Sequence, residues 1–402
     1  MPHIEDITIK NYRTLRDVTF KDLQPLTVVL GPNGCGKSTV FDVFGFLVDC
    51  LQTNVRRALE SRGRLVEVRS RESKGPISFT IRYRESDFGD RNPTPIITYH
   101  LAIAEAKGRP VVVEEYLQWR RRQRGKPFRF LDLQDGEGTV ISGEAPEETD
   151  ARRPVKMDSP DILAIKALGQ LSENPRVANL RRFIENWFLS YFIPDQARQI
   201  PEAGVTEHLS RTGENLPNVV EYLSEQHPEV LNTILTRIAQ RIPGLETIAA
   251  ERTIDNRLVL RFKDGPFNDP FLARYVSDGT IKMFAYLILL NDPAPPPLLG
   301  IEEPENGLYP KLLSILAEEF RAHAQGRGNQ PSTQIFVSSH SPHFVDATRP
   351  EELWVMKRAQ DGYARVERAD RIQGIREFYN EGAKLGSLWY EDYLIREYCR
   401  LS

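Results

Sequence analysis

Nine residues, GPNGCGKST at positions 31–39, constrain this chain more than any other stretch. They fit the pattern G-x-x-x-x-G-K-[ST], with Gly31, Gly36, Lys37 and Ser38 in the fixed places. Residues 26–30 (LTVVL) are a short apolar, β-branched run and predict a buried strand. Residues 39–51 (TVFDVFGFLVDCL) lack proline and predict a mostly buried helix. Strand, glycine loop and helix in that order suit phosphate binding. Glycines let backbone N–H groups close around phosphate oxygens, and the helix N-terminus adds partial positive charge. In that geometry Lys37 reaches the β- and γ-phosphates, and the Ser38 hydroxyl ligates Mg²⁺ beside Thr39. Cys35 occupies a variable place in the motif, either as a tolerated small residue or as a redox switch.

The chain has 402 residues, room for one large or two ordinary domains. At 40% hydrophobic and 27% charged it can bury a core. A net charge of −3 gives no global argument for nucleic acid as a partner. Three cysteines, Cys35, Cys50 and Cys399, show no metal spacing and suit a reducing cytosol. No run reaches the roughly 18 apolar residues of a membrane helix, and the polar, acidic N-terminus is unlike a signal peptide. A cytoplasmic protein without membrane contact is the expectation.

Before the glycine loop, residues 4–9 and 18–20 predict short strands around the corner Asn11-Tyr12-Arg13. Such a corner either places Arg13 near the nucleotide or leaves it exposed in a turn. After the helix, residues 56–74 are arginine-rich and read as a helix end plus a loop. Runs at 77–83, 96–102 and 111–119 are separated by turn residues and predict an antiparallel meander. Residues 119–129 (WRRRQRGKPFR) are the most basic stretch, suited either to a nucleic-acid backbone or to a solvated hairpin tip. Residues 135–160 read as a loop or boundary by composition, and 160–241 carry helical periodicity without a sustained heptad. Residues 256–262 return to strand.

Three later clusters bear on chemistry. YVSDGT (275–280) precedes an apolar helix, with Ser277 or Asp278 as its cap, and Ser277 with Gly279 at that helix start offers a second anion site. LLGIEEPENGLYP (298–310) is an apolar strand ending in two acids. Glu302 can serve a hard Mg²⁺ ion directly or through water, and Glu303 can polarise the water that attacks a γ-phosphate. QIFVSSHS (334–341) is another apolar strand, ending at His340 in the crevice where α/β sheets bind ligands. There His340 either contacts the γ-phosphate or is a satisfied structural histidine.

That order of segments (IKNYRTLRDV, GPNGCGKST, VSDGTIKMFAYLILL, PPPLLGIEEPENGLYP and TQIFVSSHSP) resembles the ABC-type ATPase head of the branch shared by SMC proteins, RecF and OLD-family nucleases. It is most similar to bacterial AAA-family ATPases of this SMC/RecF-like kind. The resemblance implies an α/β P-loop NTPase head with an antiparallel β meander and a helical lobe inserted between the Walker A and signature motifs. It implies an N-terminal ATPase lobe over 1–135, a helical lobe over 160–255 and a C-terminal ATPase lobe over 256–402, the first and third forming one composite domain. By the same resemblance Asn33 and Gly34 complete the phosphate loop, and Asn11 and Arg13 form a nucleotide-contact corner. Ser277 and Gly279 match the signature that contacts ATP on the partner subunit. Glu302 stands at the Walker B acid, Glu303 at the catalytic glutamate and His340 at the switch histidine, while Glu305, Asn306 and Gly307 lie at the D-loop. The signature reads VSDGT rather than LSGGQ, and Gln118, Gln134 and Gln170 are alternatives for the Q-loop glutamine. The stretch after His340 is too short for an OLD-type nuclease domain, and two strands and a helix over 388–401 are expected there.

The expected activity is ATP hydrolysis with ATP and Mg²⁺ as cofactors, in a homodimer or higher oligomer that sandwiches ATP. Such a switch would gate an effector in phage defence or DNA repair. The alternative is a DNA-binding ATPase of recombination or repair, resting on residues 119–129.

Overall fold

The computed structural model describes residues 1–395 apart from 88–89, 91, 121–125 and 327–331. In chain order the first part is β1 (His3–Tyr12), β2 (Leu15–Phe20), β3 (Leu26–Leu30), α1 (Lys37–Gln52), α2 (Val55–Glu60), α3 (Arg64–Val68), β4 (Ile77–Arg84), β5 (Ile97–Ala106), β6 (Arg109–Trp119), β7 (Phe128–Gln134), β8 (Glu137–Val140) and β9 (Arg153–Lys156). The middle holds α4 (Ala164–Leu168), α5 (Pro175–Glu185), β10 (Phe188–Ser190), α6 (Pro194–Ala197), α7 (Leu216–Gln226), α8 (Pro228–Arg241), β11 (Leu245–Arg252), β12 (Leu258–Asp264) and β13 (Phe271–Leu272). The last part is α9 (Asp278–Leu290), β14 (Leu298–Glu302), α10 (Pro310–Ala324), β15 (Gln334–Ser339), α11 (Pro342–Val345), β16 (Leu353–Arg358), β17 (Ala364–Arg368), α12 (Ile375–Asn380) and α13 (Leu385–Tyr390).

The central sheet runs β10-β14-β15-β3-β16-β17, parallel except for the β16–β17 hairpin. Its inner strands are buried on both faces, as the unbroken apolar run LTVVL requires. Alternation divides the faces. Val29, Leu298, Phe336 and Trp354 pack toward α1, while Val28, Leu30, Ile301 and Val337 pack toward α9 and α10. Helix α1 therefore lies between two sheets, with Phe44 on Phe336 at 4.9 Å between ring centres and Phe46 on Tyr12 of β1 at 5.7 Å. Register sets the functional edge: Glu302 pairs with Ser338, and Ser339 with Leu30. Three carboxyl ends thus finish at one level, where parallel α/β sheets hold ligands.

The second sheet is antiparallel, in the order β2-β1-β4-β5-β6-β7-β8-β9. The expected three-strand meander is there, but larger. Residues 135–160, expected as loop, contribute β8 and β9 instead. The cause is Asp135-Gly136, whose φ values of 49° and 80° make a two-residue hairpin turn of the Asp-Gly kind. A composition-based reading passes over that dipeptide. Glu115 of β6 joins this sheet to α4: its carboxyl accepts from the Ala164 and Ile165 amides at 2.6 and 3.0 Å and from the Tyr99 hydroxyl at 3.2 Å. Burial pushes that carboxyl up to about 7, against the pull of those three donors.

Other expectations are also corrected. The arginine-rich segment 56–74 forms two short helices, α2 and α3, with Asn54 capping α2 through the Arg57 amide. Within the helical stretch, β10 adds an edge strand to the central sheet beside β14. At the far end α13 spans Leu385–Tyr390 and residues 391–395 form a turn, so the helix expected over 388–401 is interrupted there, and residues 396–401 of that expectation lie outside the described residues. No helix among the described residues is long and apolar enough to cross a membrane.

Candidate active site

The glycine loop leaves β3 at Leu30 and enters α1 at Lys37. A side chain at Gly31 would overlap the Met356 carbonyl of β16 and the Cys35 sulfur, so only glycine fits there. Gly34 and Gly36 take φ values of 78° and 112°, which turn successive amides toward one concavity. Asn33, Gly34 and Ser38 are exposed and Thr39 half-buried at this rim, whereas Lys37 is only 5% exposed. The Lys37 ammonium donates to the Gly31 and Pro32 carbonyls at 2.7 and 3.3 Å, across the concavity. Cys35 is buried, and burial pushes its thiol up, away from the thiolate a redox switch needs.

Facing the loop is Glu302 at the end of β14. Burial raises its carboxyl above the usual carboxylate range, against the opposing pull of the Ser38 hydroxyl. The Ser38 hydroxyl and the partly desolvated Glu302 carboxylate are oxygen ligands of the kind that fit Mg²⁺, which keeps waters and phosphate oxygens as its other ligands. Among the described residues no group of three or more His, Cys, Asp or Glu could hold a metal by itself.

Glu303 follows in a left-handed conformation, φ 43°, unusual for a residue with a side chain. Its amide is held by Ser338, donating to the carbonyl at 3.0 Å and to the hydroxyl at 3.2 Å. The strain therefore sits at one residue and aims its carboxylate out of the sheet. There Oε2 accepts from Asn306 at 3.1 Å, and Oε1 lies 3.7 Å from His340 Nδ1. Glu305, placed by resemblance at the D-loop, is buried at 8% exposure. It accepts from the Ser339 hydroxyl at 2.9 Å and the His340 amide at 2.7 Å, and lies 3.3 Å from His340 Nδ1. Its partners had no signature in the spacing, because they come from the neighbouring strand.

The fold brings these residues together: Gly31, Asn33, Gly34, Gly36, Lys37, Ser38 and Thr39 on one side, Glu302, Glu303 and His340 on the other. The corner and the second helix start stand differently. Asn11 and Arg13 both have positive φ, 59° and 49°. The Asn11 side chain donates to the Pro76 carbonyl and accepts from Ser73, which gives it a part in the corner itself. Arg13 pairs at 3.1 Å with Asp42, one turn after Ser38, where Tyr12 and Arg62 also converge at 2.7 Å. Ser277 caps α9 through the Thr280 amide and is exposed, and Gly279 abuts the Gly307 carbonyl of the same chain.

A family described as "AAA domain, putative AbiEii toxin, Type IV TA system" matches residues 121–346. That is more than half of the chain. The chain belongs to this AAA family. A second family, described as "AAA ATPase domain", matches residues 3–105 and so includes the glycine loop. The protein is an ATPase of the AAA class, and it binds nucleotide. An SMC head solved with the C-winged helix domain of ScpA matches with a TM-score of 0.55 at 12% identity, over 91% of this chain and 97% of that one. An SMC head with an extended coiled coil, bound to the C-terminal domain of ScpA derived from Pyrococcus furiosus, matches with a TM-score of 0.50 at 13% identity, over 94% and 100%. Likeness at such identities is one of fold, and it agrees with the ABC-type α/β head expected from the motifs. Among curated proteins no match is found.

Two further features of this AAA ATPase bear on earlier expectations. Within the basic stretch 119–129, residues 121–125 lie outside the described residues. Of its ends, Trp119 is buried, and Arg129 stacks on Tyr116 at 3.7 Å and pairs with Glu114 and Asp132. Both ends serve the meander. The large hollow of about 990 Å³ beside Trp187, Asp292 and Pro297 lies at the amino ends of the parallel strands, opposite the glycine loop.

Proposed function

We propose that this ATPase hydrolyses ATP at a composite site built by two copies of the chain, and that closure and opening of this dimer is its output. The glycine loop, Lys37, Ser38 and Thr39 hold the phosphates, with Asn33 and Gly34 in the loop. Ser38 and Glu302 hold Mg²⁺, which supplies charge neutralisation for the developing transition state when bound. Glu303 accepts the proton of the attacking water, and His340 stands beside it toward the γ-phosphate. Ser277 and Gly279, with the positive end of α9, serve the nucleotide of the other copy. Asn11 and Arg13 act on the same side as the glycine loop, Arg13 through Asp42 on α1.

The observation that carries this reading is the division of the motifs. Three strand ends gather the hydrolytic set in one chain, while Ser277 stands exposed at the rim. Exposed Tyr275 and Tyr309, 70% and 62% accessible, flank that rim as a patch suited to burial. The domain division at 1–135, 160–255 and 256–402 is part of this proposal, with the outer two parts making the composite ATPase. The toxin wording of the matching family, and the SMC heads solved with a second protein, favour an effector as the recipient of the switch, in phage defence or repair. The ATPase is cytoplasmic in this reading. Direct action on DNA through 119–129 is the second reading: Trp119 and Arg129 serve the meander, while Arg120 and Lys126 are exposed.

Light scattering tests the assembly. With ATP the Glu303→Gln protein is expected to double in mass at micromolar concentration and to stay monomeric without nucleotide. A monomer in both conditions would contradict it.

A further inference from the structure

Helix α9 is apolar over nearly its whole length, with every residue from Ile281 to Leu290 buried, and it carries one cation inside that run. Lys282 is 3% exposed. A lysine buried to this degree is costly unless its ammonium is satisfied. Here it donates to the Asn306 carbonyl at 2.9 Å and to the Glu303 carbonyl at 3.3 Å. The Tyr286 ring lies 5.9 Å away on the same helix. Both acceptors belong to the loop that follows β14, and one is the carbonyl of the strained residue itself. Asn306 in turn donates to the Glu303 carboxylate at 3.1 Å. One ammonium therefore grips the Glu303 backbone and the residue that orients the Glu303 side chain. It does so from the first turn of the helix whose exposed end is Ser277.

We propose that Lys282 is a positioning residue for hydrolysis, coupling the Ser277 end of α9 to the geometry of Glu303 in the same chain. Occupancy at the helix start shifts α9, and the ammonium carries that shift to the Glu303 carbonyl and to Asn306. This rests on the role given to Glu303 above and adds a link that no motif assigns. The groups around the ammonium are Asp278 and Tyr286 on its own helix and Glu303 and Glu305 on the loop, with His340 of the β15 end beside both carboxylates. Burial lowers Lys282 to about 8, against the pull of those carboxylates. The ammonium form is thus present below that pH and is lost as pH rises through it.

The test compares Lys282→Met, Lys282→Arg and Glu303→Gln as full-length proteins, with steady-state turnover and a fluorescent-nucleotide titration. Lys282→Met is expected to lower kcat by about 100-fold, the scale of an ångström-level misplacement of a catalytic group. Its nucleotide Kd should stay within about threefold, because the phosphate-binding groups are untouched. Lys282→Arg, charged at every accessible pH, should recover most of kcat and lack the decline above about pH 8 expected of the unaltered protein. Turnover of Lys282→Met within about twofold of the unaltered protein overturns the proposal. So does the same decline near pH 8 in Lys282→Arg, which decides the matter even if Lys282→Met does not fold. Glu303→Gln separates the levels. If it turns over normally, the role of Glu303 fails. If it is inactive while Lys282→Met is normal, only the coupling fails.

Discussion

Lys37→Ala weakens ATP binding by at least about 100-fold, close to the 3 kcal/mol scale of truncating one partner of a desolvated charge pair. The expectation follows from where the ammonium sits. It is nearly inaccessible, and it spans the concavity formed by Gly31, Gly34 and Gly36 through bonds to the Gly31 and Pro32 carbonyls. A phosphate entering that concavity meets a cation already desolvated and aimed, so little solvent reorganisation opposes the contact. Alanine leaves the amides in place but removes the charge. A fluorescent-nucleotide titration, with a thermal melt to show that the fold is kept, measures the effect. An affinity within about threefold of the unaltered protein would remove Lys37 from the site.

Glu303→Gln should show the opposite pattern. Binding is retained and turnover falls by roughly 10²- to 10⁴-fold, the contribution of a positioned general base. Glutamine has the same shape and keeps an oxygen for the Asn306 amide at the position that now accepts at 3.1 Å. It cannot take a proton from water. The backbone cost at φ 43° is unchanged, because the Ser338 carbonyl and hydroxyl hold the amide whichever side chain is present. Single-turnover hydrolysis of radiolabelled ATP, set beside the titration, separates the two effects. Equal turnover in the two proteins would assign the base elsewhere.

The parts of this account legible in the sequence share a physical trait: each is a local pattern with a strong chemical reason. Residues 26–30 had to be a strand buried on both faces, and residues 31–39 had to be a tight glycine loop. Two acids after an apolar run at 298–303, and a histidine after another at 334–340, placed the opposite wall. What escaped was set by contacts between distant segments. Glu305 faces inward because Ser339 and His340 of the next strand receive it. The three-residue strand β10 is too short to carry a period, and it exists only because β14 offers an edge. Asp135-Gly136 and Lys282 were visible in principle, one as a hairpin dipeptide and the other as a lone cation in an apolar helix. Composition hid the first, and the hydrophobic run around Ile281 hid the second.

The central claim is that the glycine loop of one copy works with Ser277 of the other. Mixing two inactive proteins tests it most directly. Lys37→Ala disables the loop, and Ser277→Arg blocks the start of α9. In a mixed dimer one site carries both defects and the other carries neither. Equimolar mixing should therefore restore about a quarter of the unaltered turnover, since half of randomly paired symmetric dimers are mixed and each has one sound site of two. Turnover no higher than the sum of the separate proteins, with mixed dimers shown to form, would place both motifs at a site within a single chain and contradict the account.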